Sequence, residues 1–246
     1  MTALSFPHPF GRGAGDEAFD DYAKDLFQTS PCVKLFSMLY IVGTGLAIAM
    51  TVVMALVYYV KLAPVYPEVN RENTLYLTHA SFRSEGYTVQ AGLSFQAVQE
   101  WMYPLKNVEA VSAIVDYGMD ESFYIQPTDL SGDFKVALKL TDPAFFRIYS
   151  FRFLEGNPFT DSDLASGIHT AVISDDLARR LFGTTQNVVG RSFSLDYVNY
   201  RVCGVVRGAS YLTSKSYAQV YLPYSVFGNY TKPYSDKFPY SGIFSV

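Results

Sequence analysis

The chain carries few residues able to do chemistry. His8, His79 and His169 are its histidines, and Cys32 and Cys203 its cysteines. A Ser-His-Asp site needs an imidazole within hydrogen-bond reach of both a serine and a carboxylate. His8 lies in the N-terminal arm, which leaves His79 or His169, and no G-x-S-x-G nucleophile elbow is present. His169 precedes a strand pattern and is expected to close a loop. Asp161-Ser162-Asp163 could offer oxygen ligands to a divalent cation. Short acidic pairs in polar loops are more often turn formers, and a turn is the expectation here. The G-x-x-x-x-G-K-[ST] phosphate loop is absent, so this sequence cannot hydrolyse ATP by that mechanism. Asn229-Tyr230-Thr231 fits a glycosylation acceptor, which matters only in a secretory eukaryotic setting. The reading is of a chain with no catalytic, cofactor-binding or metal-binding residues.

The dominant feature is physical rather than chemical. Leu35 to Val60 is a run of 26 residues without a charged side chain, bracketed by Lys34 and Lys61. As a helix rising 1.5 Å per residue it reaches about 39 Å, more than the ~30 Å hydrocarbon core of a bilayer. A helix also satisfies every backbone polar group internally, as lipid demands. A signal peptide would start near residue 1 with a basic region. Here Asp16, Glu17, Asp20, Asp21 and Asp25 outnumber Arg12, Lys24 and Lys34 ahead of the run. Tyr40, Tyr58 and Tyr59 sit near its ends, where amphipathic rings favour the headgroup level. Gly43, Gly45, Ala47 and Ala49 form a small-residue patch of two small-xxx-small pairs, which could let another helix approach closely. Gly and Ala are also simply common in membrane helices. Charge leaves orientation open, with Lys24 and Lys34 on one side balanced by Lys61 and Arg71 on the other.

The remaining composition narrows the class. With 19 basic and 23 acidic residues, net charge −4, the chain lacks the basic footprint of a nucleic-acid binder. If the helix crosses a membrane, Cys32 and Cys203 lie on opposite sides and cannot pair. The 20 Tyr and 19 Phe point to β-rich packing, with an aromatic binding surface as the alternative.

Past the helix, Ala63-Pro64-Val65-Tyr66-Pro67 reads as a stiff, extended exit. Thr74–Thr78 reads as a strand. Ser94 should cap a helix to about Tyr103, with Phe95, Val98, Trp101 and Met102 near one face and Pro104 as its stop. Val108 to Tyr117 reads as a strand, and Phe134 to Thr141 as another with Lys135, Ala137 and Lys139 on the outer face. Asp142 should cap a short helix with Pro143 at its first position. Thr170–Ile173 is a short buried strand. Ser174 then caps a helix bearing Asp175 and Asp176 in its first turn and Arg179 and Arg180 in its last, with Gly183 as the stop. Leu177, Ala178, Leu181 and Phe182 form its apolar face, with Leu181 and Phe182 expected to anchor it. Arg191–Leu195 and Tyr200–Val206 read as a hairpin around Asp196-Tyr197-Val198-Asn199, and Ala218–Leu222 as a last strand. The fold class is α+β: one N-terminal transmembrane helix, then a mixed sheet with short helices.

These pieces resemble a known family. Asp142-Pro143-Ala144-Phe145-Phe146, Phe153-Leu154-Glu155-Gly156-Asn157-Pro158-Phe159, Ala171-Val172-Ile173-Ser174 and Leu177-Ala178-Arg179-Arg180-Leu181-Phe182-Gly183 occur in order. Val189-Gly190-Arg191-Ser192-Phe193 and Tyr200-Arg201-Val202-Cys203-Gly204-Val205-Val206 follow. Together they resemble the extracytoplasmic core domain of MacB/FtsX-type ABC transporter permeases. The resemblance implies a cytoplasmic arm (1–34), a membrane helix (35–60) and an extracytoplasmic domain (61–246) in the bacterial inner membrane. It also implies an ATP-binding partner subunit that hydrolyses ATP, pairing with a second permease copy, and a periplasmic or outer-membrane partner. Such permeases return to the membrane, and Tyr224 to Val246 offers no second span, so the chain is expected to end within the outer domain. The alternative reading is a membrane-anchored sensor or receptor ectodomain.

Overall fold

The computed structural model describes residues 31–84, 86–117, 123–127, 132–228, 230, 232 and 240–246. Most of the N-terminal arm, and Asn229 and Thr231 of the glycosylation triplet, lie outside them. The chain divides into two units, Met1–Tyr59 and Val60–Val246.

In the first unit, α1 (Pro31–Leu62) carries the apolar run on into the second unit. Its stretch Lys34–Leu62 is long and apolar enough to cross a membrane, and none of its most apolar window is buried. A helix of such composition exposed all round is the opposite of a soluble core helix.

The second unit holds two sheets. A three-stranded antiparallel sheet joins β1 (Ala80–Ser84), β2 (Tyr87–Leu93) and β12 (Ser241–Gly242). The larger mixed sheet runs in the order β3 (Val115–Asp116), β6 (Leu138–Thr141), β11 (Val220–Pro223), β8 (Thr170–Ser174), β10 (Val198–Val206), β9 (Ser192–Leu195), β4 (Phe123–Gln126), β5 (Phe134–Val136). β7 (Phe153–Gly156) also pairs with β10. β8 is parallel to β10 and β6 to β11, while the other pairs are antiparallel. The helices are short: α2 (Phe95–Ala97), α3 (Ala144–Ile148), α4 (Asp161–Ser166) and α5 (Asp175–Phe182).

Helix α5 forms for the reasons its sequence suggests. The Ser174 hydroxyl accepts from the Leu177 N–H at 3.3 Å, and Gly183 closes the helix with φ 72°. Its facing is shifted, however. Leu177 and Ala178 are fully buried, while Leu181 and Phe182 are half-buried. The hairpin turn is tighter than the four residues expected. Asp196 and Tyr197 take φ 45° and 64°, which makes a two-residue turn of the kind that matches strand twist. The Asp196 carboxylate accepts from the Tyr124 N–H at 2.9 Å and Gln126 Oε1 from the Tyr197 N–H at 3.0 Å, which holds this left-handed pair.

Several elements differ from the sequence reading. The segments 74–78 and 108–113 are not strands; β1 starts at Ala80, and the second segment pairs only from Ile114 onward. The helix capped by Ser94 widens after Ala97 into a π-turn over Val98–Met102, and Trp101 is left exposed. The exit from α1 is a turn rather than an extended strut. Val65 bridges Glu68, and the Tyr66 hydroxyl is held between the Arg152 N–H and the Arg207 carbonyl. Asp161-Ser162-Asp163 opens helix α4, where Thr160 and Asp163 cap each other reciprocally.

The outer face assigned to Ala137 and Lys139 does not exist either. β6, β8 and β11 are covered on both faces. On one side Leu138, Leu140, Ile173, Val205 and Leu222 join the larger core. On the other, Phe145, Phe146, Tyr149, Phe151 and Phe159 pack around Tyr221, Val172 and Val206. Ring centroids there lie 4.6 to 5.7 Å apart, in tilted and edge-on pairs with Phe145 stacked on Phe151. The aromatic abundance is thus largely packing. Lys139 is fully buried in register with Tyr221, and its ammonium meets the Asp116 carboxylate at 2.7 Å. Burial pulls the ammonium's pKa down, against the pull of Asp116.

Truncating Leu177 should therefore cost more than truncating Phe182. Leu177→Ala is expected to lower the stability of the domain by about 2–5 kcal/mol in urea unfolding, and Phe182→Ala by clearly less. Equal losses would mean that the helix sits differently on the sheet.

Candidate functional site

The residues singled out in the sequence do not converge. His79 and His169 are both exposed; the His169 ring lies 5.2 Å from that of Tyr200, and its carbonyl accepts from the Arg201 N–H. Asp163 is engaged in its capping box. Among the described residues no group of three or more His, Cys, Asp or Glu side chains could hold a metal ion.

The four small residues of α1 do not form one patch. At 100° per residue, Gly43 and Gly45 point about 200° apart. Gly43 and Ala47 share a shallow apolar groove with Phe36, Leu39, Tyr40 and Thr44, while Gly45 and Ala49 lie on the opposite side. The Thr44 hydroxyl donates to the Tyr40 carbonyl at 2.8 Å, so the groove presents no free polar donor there. A Cβ on either glycine would meet nothing within 4 Å.

Sequence reasoning missed a polar cluster where the chain leaves α1. Glu68 is 4% exposed. Its Oε1 accepts from the Ser216 hydroxyl at 2.7 Å and the Ser216 N–H at 3.0 Å. Its Oε2 takes the Arg71 guanidinium at 2.7 Å through both Nε and Nη2. The Arg71 Nη1 in turn donates to the carbonyls of Val60, Lys61 and Ala63. These are carbonyls that an α-helix leaves unpaired at its C-terminal end, where the helix dipole also favours a cation. An acid and a base three residues apart, just past the end of a long helix, were the available signal. The partner at Ser216, 148 residues away, left no local trace.

A second polar junction centres on Asp142, also buried. Its Oδ1 caps the Phe145 N–H at 3.2 Å, as read from the sequence, although regular helix starts one residue later than expected. Its Oδ2 accepts from the Ala113 N–H at 2.9 Å. Burial pushes this carboxyl's pKa up, and the N–H donors draw it back. Nearby, burial pushes the Tyr103 phenol up to about 12.

Beside these junctions lies a cleft of about 780 Å³. Leu75, Met102, Leu105, Val108 and Ile148 give it apolar walls, and Asn70, Asn73, Glu109 and Arg147 a polar rim. The Tyr76 ring stacks on that of Tyr149 at 6.4 Å within it.

Residues 37–243 match the MacB-like periplasmic core domain family. The chain belongs to that family. Among curated proteins this MacB-like domain is 30% identical over 97 residues to the pyoverdine export ATP-binding/permease protein PvdT of Pseudomonas entomophila (strain L48). It is 33% identical over 82 residues to the macrolide export ATP-binding/permease protein MacB of Shigella dysenteriae serotype 1 (strain Sd197). The matched segments cover 37% and 33% of this chain but only 15% and 13% of those two relatives. Among solved structures it resembles the periplasmic region of MacB from Actinobacillus actinomycetemcomitans, with TM-score 0.49 and 16% identity over 70% of this chain and 72% of that one.

In this MacB-like domain the Glu68 cluster should matter to stability. Glu68→Ala strands the Ser216 N–H and leaves Arg71 unpaired, and is expected to cost about 3–5 kcal/mol in chemical denaturation. Arg179→Ala removes an exposed pair with Asp175 and Asp176 and should cost about 1 kcal/mol or less. A Glu68→Ala loss as small as that of Arg179→Ala would show that the cluster is peripheral.

Proposed function

We propose that this chain is part of the permease of a MacB/FtsX-type ABC transporter. Residues 1–34 lie in the cytoplasm, 35–60 cross the bacterial inner membrane and 61–246 fold in the periplasm. The observation that carries this reading is the family match over 37–243 on a chain whose apolar helix is exposed all round. Nucleotide hydrolysis belongs to an ATP-binding subunit or domain outside this sequence. The periplasmic domain contributes binding surface and mechanical coupling, and it works alongside a second permease copy and a periplasmic or outer-membrane partner. The Glu68–Arg71 cluster supports the mechanical part, because it ties the last carbonyls of the helix to the Ser216 loop through buried, charge-assisted hydrogen bonds. The Gly43/Ala47 groove supports helix packing, because small residues permit close approach of a neighbouring helix.

Orientation is testable with thiol chemistry. The Cys203 thiol donates to the Ala171 carbonyl at 3.3 Å, and burial pushes its pKa up to about 12. Folding thus disfavours the reactive thiolate. In a Cys32→Ser background, a membrane-impermeant maleimide should leave Cys203 unmodified until the protein is denatured. A cysteine replacing exposed Ser166 should react in intact spheroplasts. Protection of that position until lysis would reverse the orientation.

The packing face is testable separately. In the full-length protein reconstituted with its ATPase, Gly43→Leu should uncouple ATP turnover from transport, because it fills the groove. Gly45→Leu, on the opposite face, serves as the comparison. A fully coupled Gly43→Leu transporter would show that the groove faces lipid.

A further inference from the structure

The last residues of α1 enter the second unit without a spacer. Val60–Leu62 belong to that unit. The stretch Lys34–Leu62 has 29 residues, about 43 Å of helix, which matches the ~40–45 Å of a bilayer with its headgroup regions. With α1 spanning a membrane, Leu62 emerges at headgroup level. Tyr66 follows four residues later, at most about 14 Å along the chain. It is already bonded into the domain: its hydroxyl accepts from the Arg152 N–H at 3.1 Å and donates to the Arg207 carbonyl at 3.0 Å. Covalent connection alone therefore holds the residues that touch this turn within reach of the headgroups.

The side chains there suit that level. Lys61, Arg152 and Arg207 are exposed, and the Arg207 guanidinium lies 5.2 Å from the centre of the Tyr66 ring. The loop that starts at Arg207 returns to the turn at Ser216, whose N–H and hydroxyl Glu68 accepts. Between these two anchors Tyr211 is 64% exposed and Leu212 44%. Lys215, half-buried, places its ammonium 5.7 Å from the centre of the Tyr76 ring. Acids also reach this region. Glu72 is exposed on the turn, and Asp175 accepts from the Gly208 N–H at 2.8 Å. Arg179, however, engages both Asp175 and Asp176. Cations therefore predominate at this place on a chain of net charge −4.

We propose that the exit turn and the 207–216 loop form a docking face for anionic phospholipid headgroups in the leaflet where α1 ends. The proposal rests on α1 being a membrane span. Lys61, Arg152 and Arg207 meet the phosphates, and the two guanidinium groups match phosphate oxygens with paired N–H donors. Tyr211 and Leu212 supply an amphipathic ring and an apolar side chain of the kind that favours the boundary between headgroups and acyl chains. Charge complementarity favours a lipid surface over a protein partner. Proximity does too: the bilayer is already within a few residues of chain, whereas a protein would bear the cost of association. Contact of the outer domain with the bilayer is thereby sensitive to anionic lipid content and to ionic strength.

The test places a single tryptophan in a Trp101→Phe background and reconstitutes the whole chain into vesicles. These are of phosphatidylcholine alone or with one-third phosphatidylglycerol, with the same fraction of nitroxide-labelled headgroups in each. At low salt, quenching of Leu212→Trp should be at least twofold stronger in the anionic vesicles. The difference should vanish in about 1 M salt, where the Debye length is only ~3 Å. Adding Lys61→Gln and Arg152→Gln, both at exposed positions, should remove at least half of it. Tyr197→Trp, at the other end of β10 and about 30 Å from Arg207, should not be quenched in either. Ile48→Trp, probed with nitroxide on the acyl chains, reports whether α1 is embedded. Quenching of Ile48→Trp without quenching of Leu212→Trp would leave the span standing and overturn this proposal, handing the face to a protein partner. Absence of quenching at both positions would overturn the membrane reading and the proposal with it. Equal quenching of Leu212→Trp in neutral and anionic vesicles would also overturn it, since the cations would then recognise nothing.

Discussion

Burial of the central strands on both faces is the constraint from which most of this domain follows. When β6, β8 and β11 have no solvent side, each side chain on them must be apolar or must bring a partner. Ala171, Val172, Ile173, Val220 and Leu222 meet that demand directly. Lys139 meets it with the Asp116 carboxylate from neighbouring β3, and Tyr221 by donating to the Ser216 carbonyl while accepting from the Ala218 N–H. The 142–159 segment, with its dense phenylalanines, is what covers the second face. β7 then needs room against β10, and Gly156 supplies it: with φ 69°, a Cβ there would run into the Cys203 carbonyl.

The same loop that satisfies Tyr221 also holds Glu68. Ser216 gives its carbonyl to the Tyr221 hydroxyl and its N–H and hydroxyl to Glu68, which grips Arg71, which in turn caps the carbonyls at the end of the helix. A single chain of hydrogen bonds, buried at Ser216 and partly buried at Arg71, therefore runs from the aromatic core to Val60. Such a chain rigidifies only because every member is satisfied.

The sequence by itself determined the long apolar helix, the capped helix after Ser174, the two-strand hairpin ending in Val206 and the α+β class. Each rests on a local rule: apolar length, a side-chain oxygen placed to meet an N–H three residues on, or alternation. It also carried the ordered motifs that mark the family. Only the tertiary structure decided which pattern would be overridden. The strand character of 74–78 and 108–113 was legible, but strands need neighbours, and among the described residues these pair only at Leu77. The alternation in 134–141 was legible too, yet whether Lys139 met water depended on the phenylalanines of a later segment. Leu177 and Ala178 rather than Phe182 carry the burial of α5, a choice among the positions of one apolar face that packing on the sheet makes and the helical pattern does not. The division of Gly43 and Gly45 between two faces follows from helix geometry alone, whereas the groove beside Gly43 depends on the flanking Phe36 and Tyr40 side chains. Glu68 and Ser216 are far apart in sequence and unremarkable in isolation; their pairing exists only because a folded sheet brings the two loops together, and long-range pairing leaves no periodicity to read.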